Sequence, residues 1–160
     1  MERTDAEFVE RLIRDFPEIK FKRGARRFSC QLRGGVFTVF LGPPCPKYAL
    51  LTLHELGHGL CKHKDYTTDV LRVKIESQAW ERAKTVFLKY REMAFDEDGN
   101  TKDKELARIL PEWDEEFAQE QLDTYRDWLH AKSRCKKCGL TKYQTENGEY
   151  HCPRCETFCL

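Results

Sequence analysis

The chain has 160 residues, of which 40% are hydrophobic and 34% charged, with a formal net charge of +1. That balance supports one respectable core plus a small appendage, and excludes a disordered chain or two full domains. The near-neutral charge supplies no bulk field for nucleic acid, and no apolar stretch approaches the roughly 18 residues of a membrane span. The leading MERTDAEFVERLIRD lacks the apolar centre of a signal peptide, so a cytoplasmic protein with no membrane partner is expected.

Thr4 or Asp5 can cap a first helix that runs to about Asp15, with Phe8, Val9, Leu12, Ile13 and Phe16 as its apolar stripe and Pro17 as its stop. Strands follow around Ile19–Phe21, Phe28–Leu32 and Val36–Leu41, the last two joined by Gly34-Gly35, whose freedom at positive φ suits a two-residue hairpin. A small antiparallel sheet is predicted. Pro46 is placed in the first turn of the next helix, which carries HELGH. Thr68 or Asp69 starts another helix, reaching about Tyr90. The stretch from Leu106 to Lys132 continues a helical stripe, with a restart expected at Pro111. The DEDGN segment lacks the turn glycine and the final acid of a calcium loop.

His54 and His58 stand four apart on a predicted helix, so both imidazoles project from one face and can converge on one zinc ion. Glu55 lies beside them, placed to take a proton from a zinc-activated water as general base and to return it to a leaving amine. A catalytic zinc needs a third protein ligand. The metzincin spacing fails, because Cys61 and Lys64 occupy its glycine and histidine positions, and His63 is out of register. Of the two glutamates on the next helix, Glu76 is in phase with Val73, Ala79, Ala83 and Phe87, whereas Glu81 is in phase with Lys74, Gln78 and Lys84. Glu76 is therefore the expected ligand.

The run HELGHGLCKH followed by IESQAWERAKTVF resembles the ImmA/IrrE-type metallopeptidases, matched at His54, Glu55, His58, Glu76 and Ala79 over about residues 5–95. The resemblance implies a zincin-like fold of gluzincin type, with the third zinc ligand in an ExxA segment, and cleavage of intracellular proteins, often repressors. Trp80 departs from the family's usual residue.

Cys135-Lys-Lys-Cys138 and Cys152-Pro-Arg-Cys155 are two knuckles flanking the turn signal Asn147-Gly148, the pattern of a closed structural zinc site. Cys30, Cys45, Cys61 and Cys159 lie outside the knuckles and read as small buried apolar residues, and His151 as an exposed ribbon residue. A ribbon after an HExxH domain also resembles the SprT-type proteases, which act on DNA-bound proteins, but no histidine lies between His63 and His130 to match that family's third ligand. Tyr125, Arg126 and His130 read as groups that cap the last helix and tether the ribbon.

The expectation is an α+β chain, a zincin-like domain over 1–132 and a four-cysteine ribbon over 133–160, carrying two zinc ions. It would hydrolyse protein or peptide substrates laid along a strand edge near Val36–Leu41. Nucleic acid would touch the ribbon lysines (Lys132, Lys136, Lys137, Lys142) with Arg134, and the basic hairpin Lys20–Arg33. The rival is a non-catalytic adaptor whose zinc ions only hold the fold.

Overall fold

The computed structural model describes residues 3–64 and 66–156, and within them the chain is α+β. The described residues before Asp65 and those in Gln78–Asp114 form one compact unit. Those between Tyr66 and Ser77, with those from Glu115 on, form a second.

In the first unit, α1 (Arg3–Asp15) buries Phe8, Val9 and Leu12 at 1% exposure or less. Pro17 has no N–H to continue the helix. The end of α1 is pinned at Asp15, whose Oδ2 accepts from Arg11 Nε and from the Tyr90 hydroxyl, each at 2.7 Å. β1 (Lys20–Lys22), β2 (Ser29–Arg33) and β3 (Val36–Phe40) form a sheet in the order β1-β3-β2. Gly34 and Gly35, at φ 58° and 77°, make the expected hairpin turn between β2 and β3.

Two expectations are corrected here. The sheet is mixed, because β1 pairs with β3 in parallel, Lys20 opposite Thr38. The tight turn forces β2 and β3 antiparallel, and the longer link after β1 lets that strand take β3's other side. β3 is consequently central and has no free edge for a substrate. Among the described residues the open edge next to the hairpin is that of β2.

α2 (Tyr48–Leu60) packs against α1, β2 and β3. Pro46 lies outside it, since the helix is entered through Lys47 in the left-handed region at φ 63°. α3 (Asp69–Ala94) starts where expected and runs a turn further, and it passes through both units. α4 (Lys104–Ile109) is capped by Asp103, whose carboxylate accepts from Leu106 N–H at 3.0 Å. The next helix, α5 (Glu115–Ser133), does not restart at Pro111. Leu110 is extended, as the residue before a proline tends to be, and helix resumes only at Glu115.

The second unit holds the start of α3, α5 and a two-stranded ribbon, β4 (Tyr143–Gln144) and β5 (Tyr150–His151), turned at Gly148 with φ 83°. Asp69, 7% exposed, ties these together. Its carboxylate accepts from Tyr150 Oη at 2.8 Å and pairs with Lys132 Nζ at 2.7 Å, while its N–H donates to Gln144 Oε1 at 2.8 Å. Burial pushes the Asp69 carboxyl up, but the Lys132 and Tyr150 bonds outweigh it and leave it below the usual carboxylate range. The Arg72 guanidinium lies 5.1–5.4 Å from the rings of Tyr66, Tyr125 and Trp128.

Candidate metal centres

The first centre begins with α2, whose sequence YALLTLHELGHGL is apolar on nearly every side. Such a helix must sit in the middle of its unit, and it carries His54, Glu55 and His58 inside with it, each 9% exposed or less. Buried polar groups at this density are costly unless they are bonded or ligate an ion.

The Nε2 atoms of His54 and His58 stand 3.2 Å apart. Two nitrogens on one tetrahedral zinc, each bonded at 2.0–2.1 Å, would stand about 3.4 Å apart, so the pair already has the spacing a shared ion requires. Ligand atoms of His54, His58 and Glu76 all fall within 4.8 Å of one another. Glu76 is 9% exposed, and Glu81, the alternative weighed in the sequence, is on the exposed side of α3. The donor set of two imidazoles and a carboxylate suits zinc with a position left for water.

Gly57 is what allows α3 this close. A Cβ there would stand 2.3 Å from the carbonyl oxygen of Ala79, so the two helix backbones are in contact one turn from Glu76. Just beyond, Trp80 lies along His54 with ring centroids 4.5 Å apart, and Trp113 meets Trp80 edge to face at 6.2 Å. The residue that departs from the ImmA/IrrE pattern thus forms a wall of the centre.

His63, set aside in the sequence because it misses the ligand register, proves to be an outer partner. Lys62 takes a left-handed conformation at φ 54°, and the chain folds back so that His63 N–H donates to the His58 carbonyl at 3.1 Å. His63 Nδ1 lies 2.9 Å from His58 Nδ1, and His63 Nε2 lies 3.3 Å from Gln78 Oε1. One proton assignment satisfies the whole chain. The amide oxygen of Gln78 can only accept, so His63 carries its proton on Nε2 and accepts on Nδ1 from His58. His58 then presents a bare Nε2, the form a metal ligand needs.

Glu55 and His58 also face Cys30 of β2, with one ligand atom of each within 4.8 Å of the others. The reading of the cysteines outside the knuckles as buried apolar filler is corrected. Cys30 and Cys45 are half-buried and Cys61 is exposed, its Sγ 3.9 Å from the Gln78 carbonyl oxygen. Cys159 lies outside the described residues.

The second centre is the cluster Cys135, Cys138, Cys152 and Cys155, whose sulfurs all lie within 4.8 Å of one another. The Cys135–Cys155 and Cys138–Cys152 separations are 4.0 and 3.5 Å, on either side of the roughly 3.8 Å expected between thiolates 2.3 Å from a tetrahedral zinc. Gly139 at φ 74° closes the first knuckle, its N–H donating to the Cys135 carbonyl at 2.9 Å. Backbone N–H groups of Cys138 and Lys137 pull the Cys135 thiol down to about 6, whereas the Cys138 sulfur and burial push Cys155 up to about 12. One thiolate is favoured and the next is penalised by its neighbours, an electrostatic demand that a divalent cation meets.

His151 is half-buried rather than exposed, with Nδ1 held by Glu156. Of the ribbon's basic residues, Lys132 is occupied by Asp69 and by the faces of Trp128 and Tyr150, while Arg134, Lys136 and Lys137 remain exposed. Among the described residues no helix is long and apolar enough to cross a membrane. No protein-family model, curated protein or solved structure matches the chain.

Proposed function

We infer that the chain is a zinc-dependent endopeptidase of the ImmA/IrrE kind, acting on cytoplasmic proteins. The observation that carries this reading is the convergence of His54, His58 and Glu76 on one point, with Glu55 buried beside His54 on the same helix. His54, His58 and Glu76 would hold the zinc, which when bound would supply Lewis-acid polarisation of a scissile carbonyl and a water acidified toward neutrality. Glu55 accepts the water's proton and delivers it to the departing amine, so the residue ends the cycle as it began. His63 and Gln78 hold His58 in the tautomer that ligates, and Trp80 keeps His54 in its rotamer and water off one side of the centre.

An extended substrate adds to the free edge of β2, where main-chain hydrogen bonds fix its register beside Glu55. The four-cysteine site is structural in this reading, since a closed thiolate shell leaves no position for water. The exposed Arg134, Lys136 and Lys137 suit phosphate contact if the protein substrate is bound to nucleic acid.

A carboxylate beside the ion is needed for proton transfer and not for holding the fold, which is where the reading parts from a structural adaptor. The test is hydrolysis of a cellular protein captured by a Glu55→Gln chain. At matched zinc content the wild type should cleave it about 10² to 10⁴ times faster than the variant. Equal rates, or cleavage by neither, would favour the adaptor.

A further inference from the structure

His58 belongs to two ligand triads, and only one of them is the proposed catalytic set. The second comprises Cys30 on β2 with Glu55 and His58 on α2, one sulfur, one oxygen and one nitrogen mutually within 4.8 Å. Cys30 is positioned by its register opposite Val39, which is fully buried, in the strand that packs against α2. Glu55 and His58 are 9% and 6% exposed. A thiolate, a carboxylate and an imidazole form a donor set for borderline and soft divalent cations, zinc and cadmium above all.

We propose that Cys30, Glu55 and His58 form an alternative metal position that excludes the catalytic one and holds the protein in a resting state. The proposal rests on the reading of His54 and His58 as metal ligands. Exclusion follows from His58. With its Nδ1 taken up by His63 at 2.9 Å, His58 has one nitrogen left to give to an ion, and one lone pair serves one ion. An ion in the Cys30 position takes Glu55 as a ligand, and a ligated carboxylate cannot accept the water's proton. Binding there releases the Cys30 thiol proton to solvent and involves no change of oxidation state. Softer ions lean toward the thiolate and harder ions such as manganese toward the triad with Glu76, so the identity of the metal biases the chain between resting and active forms.

The sequence provides a clean probe. Cleavage after Arg27 and Arg33 releases Phe28–Arg33, in which Cys30 is the single cysteine, so its alkylation is read apart from the ribbon. The full chain, with ribbon zinc retained and the histidine site stripped by a mild chelator, is given one equivalent of cadmium and then iodoacetamide. Cadmium should slow alkylation of Cys30 by about tenfold or more, since a ligated thiolate is no longer a free nucleophile. The slowing should persist in Glu76→Gln, which damages the other triad, and should be lost in Glu55→Ala. Cys30→Ser should remove the thiolate-to-cadmium ultraviolet absorption that the wild type gains on this equivalent.

Unchanged alkylation in a chain that has taken up the extra cadmium overturns the alternative position and leaves the catalytic one standing. Slowing that disappears in Glu76→Gln does the same, because the thiol was then only shielded by an ion at His54. Failure to take up any metal beyond the ribbon's overturns both readings.

Discussion

Replacing Gly57 with alanine puts a methyl group against the backbone of α3. The added Cβ stands 2.3 Å from the Ala79 carbonyl oxygen and 3.1 Å from its carbonyl carbon. Relaxed contact needs about 3.4 Å, so the helices must part by about 1 Å. Helix propensity works the other way, favouring alanine by about 1 kcal/mol, while overpacking costs about 1–3 kcal/mol. The balance is a loss of up to about 2 kcal/mol, or a fall in Tm of up to roughly 8 °C for a chain of this size. Metal affinity is the sharper readout. Ala79 is one helical turn from Glu76, so the carboxylate moves with the helix, and zinc at the histidine site should weaken by about 10- to 100-fold, the range seen when a ligand's support is disturbed. The assay is competition with a fluorescent chelator, with the ribbon zinc as an internal reference that should not change. Gly59→Ala is the control, because its Cβ meets the ring edge of Phe37 at 2.8 Å and the tip of Ile19 at 2.9 Å, side-chain ends that can turn aside. Parental zinc affinity in Gly57→Ala, or an equal loss in Gly59→Ala, would refute the claim that this glycine sets the approach of α3.

Glu76→Gln should weaken the histidine-site zinc by at least about tenfold and Glu81→Gln should leave it unchanged, as metal titration of the two variants will show; the reverse order would mean the wrong glutamate was chosen. Metal analysis of undialysed protein should give two zinc equivalents that leave in separate steps, the histidine-site ion first, because the ribbon's thiolate shell is closed. The Asp69–Tyr150 bond should shape stability against pH. Burial and Asp69 raise the Tyr150 phenol from 10.0 to about 12, so its contribution is whole below pH 10 and lost as the pH rises to 12. Asp69 is held below its ordinary 3.8, so its contribution is whole above that value and lost as the pH falls beneath it. Melting profiles of Tyr150→Phe should show a smaller alkaline loss between pH 10 and 12, and an unchanged alkaline limb would show that the bond contributes nothing.

What could be read from the sequence was local and periodic. The hairpin was visible because Gly34-Gly35 has few other uses between two alternating strands, and the ribbon because two CxxC pairs around Asn147-Gly148 admit few other arrangements. Helical phase separated Glu76 from Glu81, since a 3.6-residue period turns one to the apolar face and the other to solvent. Strand order was hidden, because nothing in the spacing of β1, β2 and β3 says which of them takes the middle.

The outer parts of the histidine centre were hidden for a related reason. His63 reaches His58 because Lys62, a residue with no special preference for positive φ, turns left-handed and reverses the chain, and no glycine or asparagine marks the spot. Cys30 reaches Glu55 and His58 across a gap of 25 residues or more, through packing of a strand on a helix. A ligand register is written within one helix, whereas the groups that orient its ligands come from wherever the backbone happens to return. The position of Cys30 could be inferred only after β2 was known to flank α2. In the proposed reading, the strand whose edge would take a substrate is also the strand that brings a thiol within 4.8 Å of Glu55 and His58, and the first of these follows from β3, not β2, being the central strand.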